Sequence, residues 1–294
     1  MVIANPIYDV VFKKMMENDK VAKFFIGTLL NETIEAIQVK PQEFTYTNEL
    51  SALAVFRLYF IATIVTKSGE YIKVLIEIQK AKNQIDLMRF RKYLAAQYSK
   101  IDIVNNEKII LPITTIYILG FTLNEIETPC LKVERNYFDP VNKSSLSVKS
   151  DFVEKLTHDS YIVQVERITN RYQTQLDKLL SIFEQSNFID DAEITKEFTH
   201  EIEDDNIGIA TDILHHSGTN PEEKKKIEIE QEAWRTVDAM AGELRDKLMQ
   251  QNIELAKKNQ ALTEKDQAFT EKNQALFEKD QLIADLMPKL NDHK

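Results

Sequence analysis

Cysteine occurs once in the 294 residues, at Cys130, so no disulfide can form within the chain and neither a thiolate-ligated zinc site nor a redox-active cysteine pair can be built. A reducing cytoplasm suits such a chain. Glycine (6) and proline (7) are also scarce, which favours long regular elements over loops. The five histidines, His158, His200, His215, His216 and His293, fall in no metal-ligand spacing with acids on one face. His215 and His216 would diverge on a helix, and Thr157-His158-Asp159-Ser160 reads as a turn. The longest uncharged run, Ile109 to Leu123, contains Pro112 and falls short of the ~18 to 20 residues of a membrane span. It reads as a buried strand, and the opening Met1-Val2-Ile3-Ala4-Asn5-Pro6 lacks the basic segment and apolar run of a secretory leader.

Hydrophobic residues at 43% and charged residues at 29% are near globular averages, enough for a buried core. The length suits one sizeable α/β domain with an appendage. A formal net charge of -10 argues against broad phosphate contact, but the charge is unevenly placed. From Met1 to Cys130 acids and bases nearly cancel, and the acidic surplus lies mostly from Glu184 to Glu243. A nucleic-acid partner therefore stays open for the first half.

Asn5-Pro6 is suited to open a helix with Ile7, Val10, Val11 and Met15 on one side, and Asn18-Asp19 to cap a second carrying Val21, Phe24, Phe25 and Leu29. Strand-like segments follow at Ile34 to Val39, Ala54 to Thr66 and Tyr71 to Gln79, the last two joined at Lys67-Ser68-Gly69. From Gln84 to Lys100 the positions Ile85, Met88, Phe90, Leu94 and Ala95 return to a helical period, and Lys108 to Leu123 supplies a long apolar strand. Further strands are expected at Leu131 to Phe138 and Ser160 to Val165. A helix is expected at Gln173 to Gln185, burying Leu176, Leu179, Leu180 and Phe183. The fold class is α/β, and three parts are expected: a domain over 1–190, an acidic helical connector over 191–240, and a heptad-repeat helix over 241–294. The stretch from Thr195 to Glu230 reads as solvated rather than core.

The tail repeats with period seven. Lys258-Asn259-Gln260-Ala261-Leu262-Thr263-Glu264 is echoed by Lys265-Asp266-Gln267-Ala268-Phe269-Thr270-Glu271 and by Lys272-Asn273-Gln274-Ala275-Leu276-Phe277-Glu278. Leu248, Leu255, Leu262, Phe269, Leu276 and Ile283 make one seam at the coiled-coil period. The residues three places before the last four of them are Asn259, Asp266, Asn273 and Asp280, so half of the seam is polar. Two readings are open, a homo-oligomer formed through 241–294 and a single solvated helix laced by Glu–Lys pairs.

Alternation along Tyr71 to Gln79 puts Lys73, Leu75, Glu77 and Gln79 on one face and Ile72, Val74, Ile76 and Ile78 on the other. A carboxylate and an amide side by side on a sheet face, with the Ile78 carbonyl as a further oxygen, are ligands for a hard divalent cation and a water in phosphodiester hydrolysis. Arg89 and Tyr93, four apart, share a face of the next helix, where Arg suits a phosphate and Tyr a nucleotide.

The run Leu75-Ile76-Glu77-Ile78-Gln79-Lys80-Ala81-Lys82, followed by Met88-Arg89-Phe90-Arg91-Lys92-Tyr93, resembles the core of the PD-(D/E)XK nuclease family transposases, relatives of the bacterial recombination-promoting nucleases. Tyr8-Asp9-Val10-Val11-Phe12-Lys13 resembles that group's Asp-x-x-Phe-Lys opening, and the likeness covers about Asn5 to Gln185. It implies a restriction-endonuclease-like α-βββ-α-β core, Mg²⁺, a DNA substrate and hydrolysis by an activated water. In that scheme Glu77 holds the metal with the Ile78 carbonyl, Gln79 orients the water, Arg89 and Tyr93 meet DNA, and Asp9 is a further candidate acid. The chain departs from the pattern on the preceding strand, where Tyr59 stands in place of the expected Asp. A phenol with an ordinary pKa near ~10 brings no charge to a cation. Asp9, Glu49 and Asp86 are acids that would have to make up the loss. The two functions implied are a Mg²⁺-dependent DNA endonuclease and an inactive nuclease-fold binding or scaffold protein.

Overall fold

The computed structural model describes residues 1–47, 54–80, 84–169 and 171–291. Side chains at 41–47, 54–58, 84–86, 89, 237, 238, 240, 241, 244, 245 and 284–291 are left undescribed. The chain divides into two compact units, Met1–Ala233 and Trp234–Lys294.

A short strand β1 (Val2–Ala4) precedes helices α1 (Asp9–Met16) and α2 (Asp19–Leu30). Then come the strands β2 (Ile34–Thr47), β3 (Ala54–Thr66) and β4 (Tyr71–Gln79), helix α3 (Gln84–Tyr98), β5 (Asp102–Val104), β6 (Glu107–Ile109) and β7 (Ile113–Leu119). Strands β8 (Cys130–Val133), β9 (Tyr137–Asp139) and β10 (Ser144–Leu146) lead to α4 (Asp151–Leu156) and β11 (His158–Gln164). Helix α5 (Gln175–Ser181), strand β12 (Thr195–Glu197), α6 (Asp205–Thr219) and α7 (Pro221–Asn291) complete the order. The class is mixed α/β with a long C-terminal helix. No described helix is long and apolar enough to cross a membrane.

Six strands form one mixed sheet in the order β2-β3-β4-β7-β11-β8. The meander β2-β3-β4 is antiparallel, β7 lies parallel between β4 and β11, and β8 closes the far side antiparallel. A parallel neighbour needs a crossover, and α3 supplies the one from β4 to β7. The two faces of the sheet have separate cores. On one, Phe60, Val74, Ile76, Ile78, Ile116 and Val163 pack with α1, α2, α5 and α6; on the other, Leu75 and Ile113 meet Phe90 of α3. Phe12 ties the first core together, its ring edge-on to Phe25 at 5.4 Å and to Phe60 at 5.0 Å. Such pairs add about 1 kcal/mol beyond burial.

Several local expectations hold. Asn18 caps α2, its side chain accepting from the Lys20 and Val21 amides, and the αL residue Asn31 ends it. Gly69, at φ 83°, makes the β3–β4 turn that a side chain would strain. Others are corrected. Asn5-Pro6 does not open α1, because the Asn5 amide is pinned by Gln185 and the Glu193 carbonyl and the helix starts only at Asp9. Met88 and Ala95 are exposed, while Phe90 turns inward with Leu94 packed beside it, as expected, and Tyr93 and Gln97 join that face. Thr157 to Ser160 is not a turn, since His158–Gln164 runs as a strand beside β7. The apolar stretch from Lys108 is broken at Pro112 into β6 and β7.

The largest correction concerns 195–230, which is not a solvated connector. Its strand β12 pairs with β1, and Ile207, Ala210, Leu214 and Ile227 belong to the main core. Several of the acids of these helices are exposed, among them Asp205, Asp212, Glu222 and Glu228, while Ile207, Ala210, Leu214 and Ile227 face inward.

Lys196 of β12 is buried, its ammonium donating to the Glu184 carbonyl. Burial pulls its pKa down to about 7, with Glu184 opposing the shift. Below that value the folded and unfolded chains are both protonated; above it only the unfolded chain holds the proton, up to the ordinary lysine range. Stability should therefore rise between pH 7 and about pH 9, by roughly 1 kcal/mol per pH unit from this group. Urea melts of Lys196→Met beside the parent should show the parent's slope across that window and its loss in the variant; equal slopes would refute the assignment.

Candidate functional site

Strand β4 is buried on both faces from Lys73 to Gln79, so the polar residues it carries lie in the interior. Glu77 and Gln79 are 2% and 6% exposed. They face α3, as the alternation of the strand requires, and Ile78 points into the opposite core. Register fixes what stands beside Glu77: Tyr59 on β3 and Tyr117 on β7. Directly opposed side chains on neighbouring antiparallel strands lie within contact reach, so Tyr59 is Glu77's immediate neighbour.

Aromatic rings close this corner. The Tyr59 ring stacks on Tyr93 of α3 with centroids 4.1 Å apart and planes 18° from parallel, and Tyr117 packs on Phe90 at 4.4 Å. Burial first, and then the negative charge of Glu77, push the phenols of both Tyr59 and Tyr117 upward, so both stay protonated at neutral pH. Tyr93 is 5% exposed and its face is taken by Tyr59, which places it in the core and away from a nucleotide. Arg89 lies on α3, but its side chain and that of Asp86 are outside those described, and Glu49 is outside the described residues altogether. One turn beyond Tyr93, Gln97 is buried with its side-chain carbonyl oxygen making no hydrogen bond among the described residues.

The beginning of the same strand face holds a second buried charge. Lys73 is 2% exposed and its ammonium lies 2.6 Å from the Asp102 carboxylate, just past the end of α3. The sequence placed Lys73 on this face but gave no sign of Asp102, which follows a change of chain direction at Lys100.

Asp9 is brought to the far end of β4. Gly120 continues β7 past Gln79, and a Cβ there would sit 2.7 Å from the Ile7 side chain and 3.1 Å from the Lys80 backbone, so the N-terminal segment lies against this end. Asp9 is buried in the first turn of α1, but it does not cap the helix. That role falls to Glu230 of α7. One of its oxygens accepts from the Asp9 amide at 2.9 Å and from the Lys80 ammonium at 2.8 Å, and the other from the Val10 amide at 3.1 Å. A carboxylate at a helix N-terminus is favoured by both hydrogen bonding and the dipole. Lys80 lies 3.8 Å above the Tyr8 ring, and burial, followed by the charge of Glu230, pushes the Tyr8 phenol up to about 12. No sequence signal marks Glu230 as a cap, because it lies 221 residues from the helix it closes.

A hard divalent cation takes several oxygen ligands, with charge from more than one carboxylate in most tight sites. Across the three paired strands here, the positions level with Glu77 are neutral phenols. Among the described residues no group of three or more His, Cys, Asp or Glu could hold a metal ion. The described side chains level with Glu77 on the neighbouring strands bring no second carboxylate beside it.

Replacing Glu230 by Ala removes three hydrogen bonds, two of them from amides at the start of α1 and one that is also its ion pair with Lys80. Loss of a helix cap costs about 1 to 2 kcal/mol, so the melting temperature should fall by several degrees, while a Glu228→Ala control on the exposed side should leave it nearly unchanged. An unchanged melting temperature in the Glu230 variant would show that the cap carries no stability. Compared with known protein families, with curated proteins and with solved structures, the chain matches none.

Proposed function

We propose that the first unit is a restriction-endonuclease-like fold of the PD-(D/E)XK transposase group that has lost metal-dependent cleavage and serves as a binding or scaffold module, assembled through a coiled coil in its C-terminal helix. The element order of helix pair, three-stranded meander, helix and parallel strand supports the fold assignment, together with the Glu77-Ile78-Gln79 strand and the Asp9-x-x-Phe12-Lys13 opening. Fold alone does not decide activity; the site does.

The observation that carries the inactive reading is Tyr59 directly opposite Glu77, with its ring stacked on Tyr93. A phosphodiester and its metal need an open, multiply charged corner, and here aromatic rings stand on both sides of the one carboxylate described at this level of the sheet. The nuclease ancestry keeps DNA as the expected partner, and among the described residues the exposed Arg91, Lys92 and Lys100, on and just after α3, offer cations for its backbone.

Calorimetric titration with Mn²⁺ and a plasmid-nicking assay test this. The parent and Glu77→Ala should bind no metal and leave plasmid uncut, and Tyr59→Asp should acquire metal binding that is lost again when combined with Glu77→Ala. Cleavage by the parent that disappears in Glu77→Ala would replace this proposal with an active Mg²⁺-dependent nuclease.

A further inference from the structure

From Leu248 to Ile283 an apolar side chain recurs at every seventh residue of one continuous helix, and each is between 56% and 66% exposed. A helix stripe of this kind is a face without its partner. The identity of that partner rests on the coiled-coil reading of the tail.

With the apolar residues at d, the a positions of the last four heptads alternate Asn259, Asp266, Asn273, Asp280, and the residue just before each of these four, at g, is lysine. The carboxylates at a look unsuited to a buried seam, until the neighbours across it are considered. In a parallel pair each a side chain inserts into a hole bounded in part by the partner's preceding g residue. Asp266 then meets the lysine that precedes Asp266 in the second copy, and Asp280 meets the one that precedes Asp280. Each Asp layer holds two carboxylates and two ammoniums, while each Asn layer is closed by amide hydrogen bonds. An antiparallel pair would instead set the g positions against each other, lysine row against lysine row, and leave the Asp layers without those cations. The glutamates of the repeat, at f, point away from the seam and cannot repair this.

Stagger is limited by the apolar layers. Sliding one helix by a heptad would leave one d residue uncovered at each end and lose one of the six apolar layers. Polar a residues favour two strands over larger bundles. We infer that the partner of this face is a second copy of this chain, parallel and in register, with the g lysines neutralising the aspartate layers of the opposite helix.

The test uses the full chain with Cys130→Ser, which removes the native thiol. Sedimentation equilibrium should give twice the chain mass. Asn259→Cys and Asn273→Cys should each oxidise to a covalent dimer, since facing a positions in a parallel pair lie about 6 Å apart between Cα atoms, within disulfide reach. Gln260→Cys, outside the seam, should not. Lys265→Glu with Lys279→Glu should weaken association by about tenfold or more, and Glu264→Lys with Glu278→Lys should leave it within about twofold. A dimer in which neither Asn259→Cys nor Asn273→Cys forms the covalent link would overturn the parallel in-register arrangement and leave the coiled coil standing. A monomer at every concentration would overturn both, and a trimer or tetramer would overturn the pair.

Discussion

Strand β4 is covered on both faces, and the rest of the first unit is arranged around that constraint. A strand in this position is ordinarily an unbroken apolar run. This one carries Lys73, Glu77 and Gln79 on the face under α3, where an uncompensated charge would be costly. Lys73 is answered by Asp102 at one end. Beside Glu77 the two neighbouring strands present Tyr59 and Tyr117, whose phenols burial and its charge keep protonated. The interior of α3 follows from the same need, since Tyr93 and Phe90 are the rings that lie on those two tyrosines.

The opposite face is apolar and closes differently. Phe12, Phe25 and Phe60 bring the first two helices onto the meander, and residues about 180 places along the chain finish the enclosure. Glu230 is the sharpest case. A single carboxylate from α7 satisfies two amides at the start of α1 and pairs with Lys80 at the end of β4, so the N-terminus, the central strand and the late helices meet at one charge. The near-neutral N-terminal half and the acidic surplus of the later segment are joined in this contact, which is why an acidic stretch that reads as solvated in isolation contributes to the core.

Much of the fold was legible along the chain because its signals are local. The alternation in Tyr71–Gln79, the Asn18 cap and the turn at Gly69 each depend on residues within a few positions, and each element formed where its pattern lay. Misreadings came where a long-range contact overrode the local preference. Asn5 is held by Gln185, so Pro6 does not begin a helix; His158 pairs onto β7, so a turn-like tetrapeptide extends as strand. Met88 and Tyr93 both suit a helix, and only the position of the sheet decided that Tyr93 turned inward.

The sequence by itself determined which face of β4 carries Glu77 and Gln79, because a strand has a period of two, and it determined the seven-residue spacing of the tail. It also placed a tyrosine where the family resemblance led to an aspartate. What only the tertiary structure decided was the company these residues keep: Tyr59 level with Glu77 and stacked on Tyr93, Asp102 against Lys73, Glu230 over α1. Register between strands and the docking of distant helices are set by the fit of whole surfaces, and no single segment contains that information.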